Sequence, residues 1–191
     1  MTKKETRFLD KYFKDFKKLI DGNERIKKKL IIIKKILINT RKSKKKILIF
    51  GNGGSASIAS HFSVDLTKNA KIRCINCNEA DLITCFSNDF GYEHWMEKAI
   101  NYFGDKKDIL IVISSSGNSK NIINACIEAK RKNFSKIITF TGHSVKNPVK
   151  KLGNINLWVN SKAYNQIENI HQFWLLSLVD LVIGKANYLP K

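Results

Sequence analysis

His61 and Asp65 stand four residues apart inside Ile47 to Leu66, ILIFGNGGSASIASHFSVDL, a stretch that reads as strand, glycine turn and helix. On a helix that spacing puts an imidazole and a carboxylate on one face, two potential ligands side by side. Before them, Gly51-Asn52-Gly53-Gly54-Ser55 lets backbone turn tightly and come close to a ligand. The first amides of the helix that follows have no intrahelical partners and attract anions. A second loop, Ser114-Ser115-Ser116-Gly117-Asn118-Ser119, again follows an apolar run, and its hydroxyls suit a phosphate's acceptor oxygens. Two such loops can surround one phosphorylated sugar. The glycines lack the G-x-G-x-x-G spacing of a dinucleotide site, and no Gly-Lys-Ser/Thr follows to make a P-loop. A bland turn with a capping serine is the alternative.

These loops need a scaffold that brings strand ends together. Residues 4 to 42 carry apolar positions at helical spacing, with Asp21-Gly22-Asn23 as a break, so two helices are expected. Strands are predicted at Ile47–Phe50, Lys71–Cys77, Asp108–Ile113, Ile137–Phe140 and Ile155–Val159. Between and after them, helices are predicted from about Ser55, over Trp95–Phe103, Lys120–Lys132 and Ile167–Ile183. Asp81–Ser87 reads as helix or turn leading into Asn88-Asp89-Phe90-Gly91-Tyr92-Glu93. Alternation of strand and helix implies a doubly wound α/β fold, in which strand ends line one shared crevice.

With 191 residues, 43% of them hydrophobic, the chain can bury one substantial core as a single structural domain: helices over residues 1–46, then an α/β unit over 47–191. There is no apolar run of eighteen, and the charged N-terminal stretch is not a signal peptide, so a cytoplasmic protein without a membrane span is expected. Cys74 and Cys77 form a lone C-x-x-C; with Cys85 and Cys126 they read as buried, reduced thiols. The net charge of +19 raises nucleic-acid binding. Its lysines alternate with leucines and isoleucines as on a solvated helix face, without interleaved aromatics or a recognised module. They read as a solvated face that helps attract a phosphorylated substrate, not as a nucleic-acid site.

GNGGSASIASHF, FSNDFGYE, ISSSGNS and the late IENIH resemble, in that order, the sugar-isomerase (SIS) domain and specifically its phosphoheptose isomerase branch. The resemblance implies a five-stranded parallel sheet between helices, a homotetramer with shared active sites, and conversion of sedoheptulose 7-phosphate to a heptose 7-phosphate. It places Asn52, Gly53, Gly54, Ser55, Asn88, Asp89, Ser114, Ser115, Ser116, Ser119 and Glu168 at the substrate, with the serine loop on the phosphate. The family's zinc site takes a histidine and a glutamate from the first helix and a glutamine and a histidine from the last. Here those positions hold His61, Asp65, Glu168 and Leu176. Leu176 cannot bind metal, which leaves His61, Asp65 and Glu168 as ligands for zinc or another divalent ion. His171, one turn beyond Glu168, is a candidate substitute for the ligand lost at Leu176, but it also matches a histidine beside the family's ligands and reads rather as packed, while His94 and His143 read as ordinary polar residues. The activity implied is aldose–ketose isomerisation through an enediol(ate), with Asp65 or Glu168 moving the carbon-bound proton. The alternatives are a non-catalytic member that binds a replication-initiation protein and an isomerase of another phosphosugar.

Overall fold

The computed structural model describes residues 2–21 and 23–187. Five parallel strands form one sheet in the order β2-β1-β3-β4-β5. They are β1 (Ile47–Gly51), β2 (Cys74–Ile75), β3 (Ile109–Ser114), β4 (Lys136–Thr141) and β5 (Ile155–Trp158). Helices α1 (Lys3–Ile20), α2 (Glu24–Lys42), α3 (Gly54–Lys68) and α8 (Tyr164–Ile183) cover one face. The other carries α4 (Ala80–Phe90), α5 (Trp95–Phe103), α6 (Lys120–Arg131) and the short α7 (Pro148–Leu152). The expected doubly wound fold is present.

The strands alternate between two cores, as a pleat with period two requires. Ile47 and Ile49 of β1, with Ile109, Ile111 and Ile113 of β3, pack under α2, α3 and α8. Leu48 and Phe50, with Leu110 and Val112, pack on the opposite side with Trp95, Met96 and Ile122. Burial on both faces is why these runs are apolar throughout. Trp95 meets Phe50 edge to face, ring centres 5.8 Å apart. At the N-terminal edge of β1 and β3, Lys46 Nζ lies 2.7 Å from Asp108 Oδ2, and Lys46 N donates to Asp108 Oδ1 at 3.1 Å. This pins the register that brings Gly51 opposite Ile113, and so sets the glycine loop beside the serine loop.

Several boundaries differ from the sequence expectation. The second strand shrinks to Cys74–Ile75, because it pairs with β1 along one edge only. α4 extends past Ser87 through Asn88 and Asp89 to Phe90, and Gly91, at φ +86°, stops the helix. α7, started by the Asn147 cap and Pro148, had no apolar period long enough to show. Gly22, in the expected break, lies outside the described residues, but Asn23 caps α2 by accepting from Ile26 N at 3.1 Å. Cys77 and Cys126 are buried, with burial pushing each thiol up to about 12, whereas Cys85 is exposed, contrary to the expectation that it was buried. α1 buries no residue fully; Phe8 and Phe13 are 65% and 63% exposed.

Candidate active site

β1 lies between β2 and β3, so the chain leaves the sheet in opposite directions on either side of the β1/β3 boundary, and the crevice beyond the strand ends opens there. Gly53, at φ +54°, is the N-cap of α3, and no side chain caps that helix. A residue with a Cβ would be strained in that conformation; Ser55 N and Ala56 N donate to Asn52 O and Gly53 O, which leaves the Gly54 amide at the helix start for an anion among the described residues. Ser55 is buried in this turn.

The serine loop is arranged for the same task. Ser114 Oγ accepts from Gly117 N at 3.2 Å, and Ser116 Oγ accepts from Asn118 N at 3.3 Å. Each bond leaves the hydroxyl hydrogen to be donated outward. Ser115 Oγ is buried without a partner among the described residues. Ser119 is the N-cap of α6 but makes no side-chain cap bond, so its hydroxyl is not used by the helix. The two loops are tied by a reciprocal amide pair: Asn52 Nδ2 donates to Asn121 Oδ1 at 3.0 Å, and Asn121 Nδ2 returns the bond at 2.9 Å. Tyr92 Oη also donates to Asn52 Oδ1, at 3.1 Å. Asn52 therefore positions the two loops relative to each other.

Two clefts flank the first turn of α3. One, of about 340 Å³, is lined by Gly54, Ser57, Ile58, His61, Glu168, Asn169 and Gln172, where α8 crosses α3. The other, of about 250 Å³, lies toward α4 and α5. Ser57 borders both. In the larger cleft Glu168 lies directly over Gly54, where any Cβ would overlap its carboxylate. That carboxylate has no hydrogen-bond donor among the described residues, and burial pushes it above the usual range. An unpartnered, partly desolvated carboxylate facing a cleft is suited to take up a proton.

Gln172, four residues on along the same face of α8, brings Nε2 to 3.5 Å from His61 Nδ1. The spacing from Glu168 could have pointed to Gln172; Tyr92 and Asn121 had no comparable signal. His61 Nε2 in turn lies 3.4 Å from Asp65 Oδ2. Asp65, hydrogen-bonded to Asn69 at 3.3 Å, stands a turn beyond the residues lining the cleft. The structure thus pairs His61 with Asp65 and His61 with Gln172, but keeps Glu168 at Gly54. Among the described residues no three His, Cys, Asp or Glu side chains form a ready cluster: His61 and Asp65 lie together on α3, while Glu168 stands over Gly54. Asn88 and Asp89 are exposed on α4, bonded to each other at 2.9 Å and away from both cleft linings. His171 is fully buried on the far side of α8 and donates from Nε2 to Thr141 O at 3.2 Å. His94 pairs with Glu97 at 2.8 Å, and the His143 ring packs on Tyr164.

Comparison with known proteins gives these features a context. Residues 11–142 match the family described as SIS domain. A phosphoheptose isomerase of Buchnera aphidicola subsp. Acyrthosiphon pisum (strain Tuc7) is 33% identical over 186 residues, 94% of this chain and 91% of that protein. One of Helicobacter pylori (strain P12) is 35% identical over 153 residues, 77% of this chain and 79% of its own length. Among solved structures, a phosphoheptose isomerase from Francisella tularensis superposes with a TM-score of 0.86 at 27% identity, covering 97% of this chain and all of that one.

Proposed function

The chain belongs to the SIS-domain family, in its phosphoheptose isomerase branch, and from that premise we propose that it isomerises sedoheptulose 7-phosphate to D-glycero-D-manno-heptose 7-phosphate at the Glu168 cleft. The observation that carries the reading is the Glu168 carboxylate, unpartnered over Gly54 beside two anion-attracting loops. The serine loop and the α6 N-terminus hold the phosphate, and the sugar chain runs across the α3 first turn toward Glu168. Glu168 takes the proton from C1 of the ketose, giving a 1,2-enediol(ate), and returns it to C2, while the O1 hydroxyl proton moves to O2. Atoms balance, and no oxidant or co-reactant is needed. Gln172 Nε2 and His61 supply hydrogen bonds where negative charge develops on oxygen. Asp65, the other carboxylate expected to move the proton, orients His61 in this reading.

No step here is routed through a divalent ion. Zinc, expected from the resemblance, is a separate proposal, to be tested by titrating it into chelated protein and following the His61 resonances. The non-catalytic alternative gives no role to a free carboxylate beside a phosphate loop. Conversion of sedoheptulose 7-phosphate followed by NMR tests the reading directly; no turnover of this ketose, with or without added zinc, would remove it.

Two expected results belong to the reading. Ser116→Ala and Ser119→Ala should each weaken binding of a sugar phosphate about tenfold, the effect of losing one charge-assisted hydrogen bond, with little change in unfolding midpoint. Calorimetry with substrate decides it, and unchanged affinity moves the phosphate elsewhere. We further propose a homotetramer in the cytoplasm. Exposed Phe8, Leu9 and Phe13 on α1 give it an apolar surface to cover, and Asn88 and Asp89 lie exposed on α4, where a neighbour's site could take them up. Light scattering at micromolar concentration should give four times the 21.9 kDa chain mass; a monomer would refute this part.

A further inference from the structure

The smaller cleft contains polar groups that no part of the isomerisation uses. It is bounded by the Asn52–Gly53 turn, Ala56, Ser57 and Ser60 of α3, then Asn78, Ile83, Tyr92 and Trp95. Trp95 is only 2% exposed, yet its indole N–H has no partner among the described residues. Asn78 is held from one end, its Nδ2 donating to Ala56 O at 3.0 Å and Ser60 Oγ at 2.9 Å, while its Oδ1 is buried and unpartnered. Both residues line the same small cleft, and each holds a bare polar atom, one donor and one acceptor, buried behind its wall. Both are groups that folded proteins rarely leave unmet. A hydroxyl can answer both, since it accepts and donates through one oxygen. The cleft has no charged lining residue, so it is not built for a second phosphate. It adjoins Asn52, which is tied to the start of α6 and hence to the serine loop.

We infer that this cleft is a polyol subsite, in which Trp95 Nε1–H and Asn78 Oδ1 read hydroxyl groups along the carbon chain of a sugar phosphate anchored by the serine loop. Trp95 and Asn78 are then specificity-determining residues that favour hydroxylated chains over deoxy ones. The inference deepens the isomerase reading and depends on it only for the position of the phosphate.

Sorbitol 6-phosphate and hexyl phosphate separate the two ideas. The first carries hydroxyls but no carbonyl, so binding can be measured without turnover; the second has the same chain length and no hydroxyls. By calorimetry, wild type should bind sorbitol 6-phosphate at least tenfold more tightly than hexyl phosphate. Trp95→Phe, which keeps a ring against Phe50 but removes the N–H, should weaken the first about tenfold and leave the second unchanged. Ala56→Leu, filling the cleft from a helix position without deleting any polar group, should produce the same selective loss if Trp95→Phe is poorly folded. Equal binding of both phosphates by wild type, or unaltered sorbitol 6-phosphate affinity in both variants, would overturn the subsite and assign the two bare groups to trapped water. Isomerisation of sedoheptulose 7-phosphate is assayed alongside. Turnover without hydroxyl preference removes only the subsite, whereas hydroxyl preference without turnover removes only the isomerase reading.

Discussion

Glu168→Gln is expected to lower turnover of sedoheptulose 7-phosphate by about a thousandfold, within the range that a positioned general base contributes. Glutamine keeps the shape of the side chain over Gly54, so substrate affinity should change little and the loss should fall on kcat. The pH dependence gives an independent check. Burial raises the Glu168 pKa above its ordinary value of 4.5, and the active form is the carboxylate. Wild-type kcat/KM should therefore fall as pH drops through that raised value, and the acid limb should vanish from the residual activity of the variant. Asp65→Asn should be much milder, because Asp65 reaches the cleft only through His61. The reverse order of effects, with Glu168→Gln within tenfold of wild type and Asp65→Asn inactive, would transfer the base to Asp65.

How far this could be read from sequence depends on which signals are local. The glycine turn after Phe50 and the serine run after Ile113 were legible because each is a change of residue type within a few positions, and the parallel sheet places them side by side. The metal set was another matter. His61 and Asp65 follow from helical spacing, but where Glu168 lies is decided by how α8 crosses α3, which no pattern within either helix encodes. Gln172 shares the Glu168 face by simple periodicity; that it meets His61 depends on the same crossing. Asn88 and Asp89 have loop-like chemistry, and the helix carries them because Phe86 and Phe90 pack edge to face through that turn. Trp95 and Asn78 could not have been singled out at all, since a missing hydrogen bond is a property of the assembled cleft.

The second large effect concerns acid stability. His171 is 0% exposed, beneath Phe140 and beside Trp174, with ring centres 5.8 and 6.2 Å away. Its Nε2 donates to Thr141 O, and its Nδ1 is buried without a partner among the described residues, so the neutral ring fits and a second proton would find no acceptor among them. Desolvation pulls its pKa from 6.5 to about 4, opposed in part by the bond to Thr141. The unfolded chain therefore binds the proton first. Stability from this group is fully present above pH 6.5, declines as pH falls between 6.5 and 4, and is exhausted below that. Over that window the loss approaches ~3 kcal/mol, a large fraction of the stability of an ordinary domain. Urea midpoints measured at pH 7, 6, 5 and 4.5 should fall steadily, whereas His171→Leu should start lower at pH 7 and show a flatter decline. Because His171 sits one turn after Glu168 and seats α8 on the end of β4, its protonation would also loosen the helix that aims the base. The two acid effects remain separable: the leucine variant flattens the stability profile but keeps the Glu168 limb in kcat/KM. An equal pH slope in the variant and wild type would show that other groups govern acid unfolding.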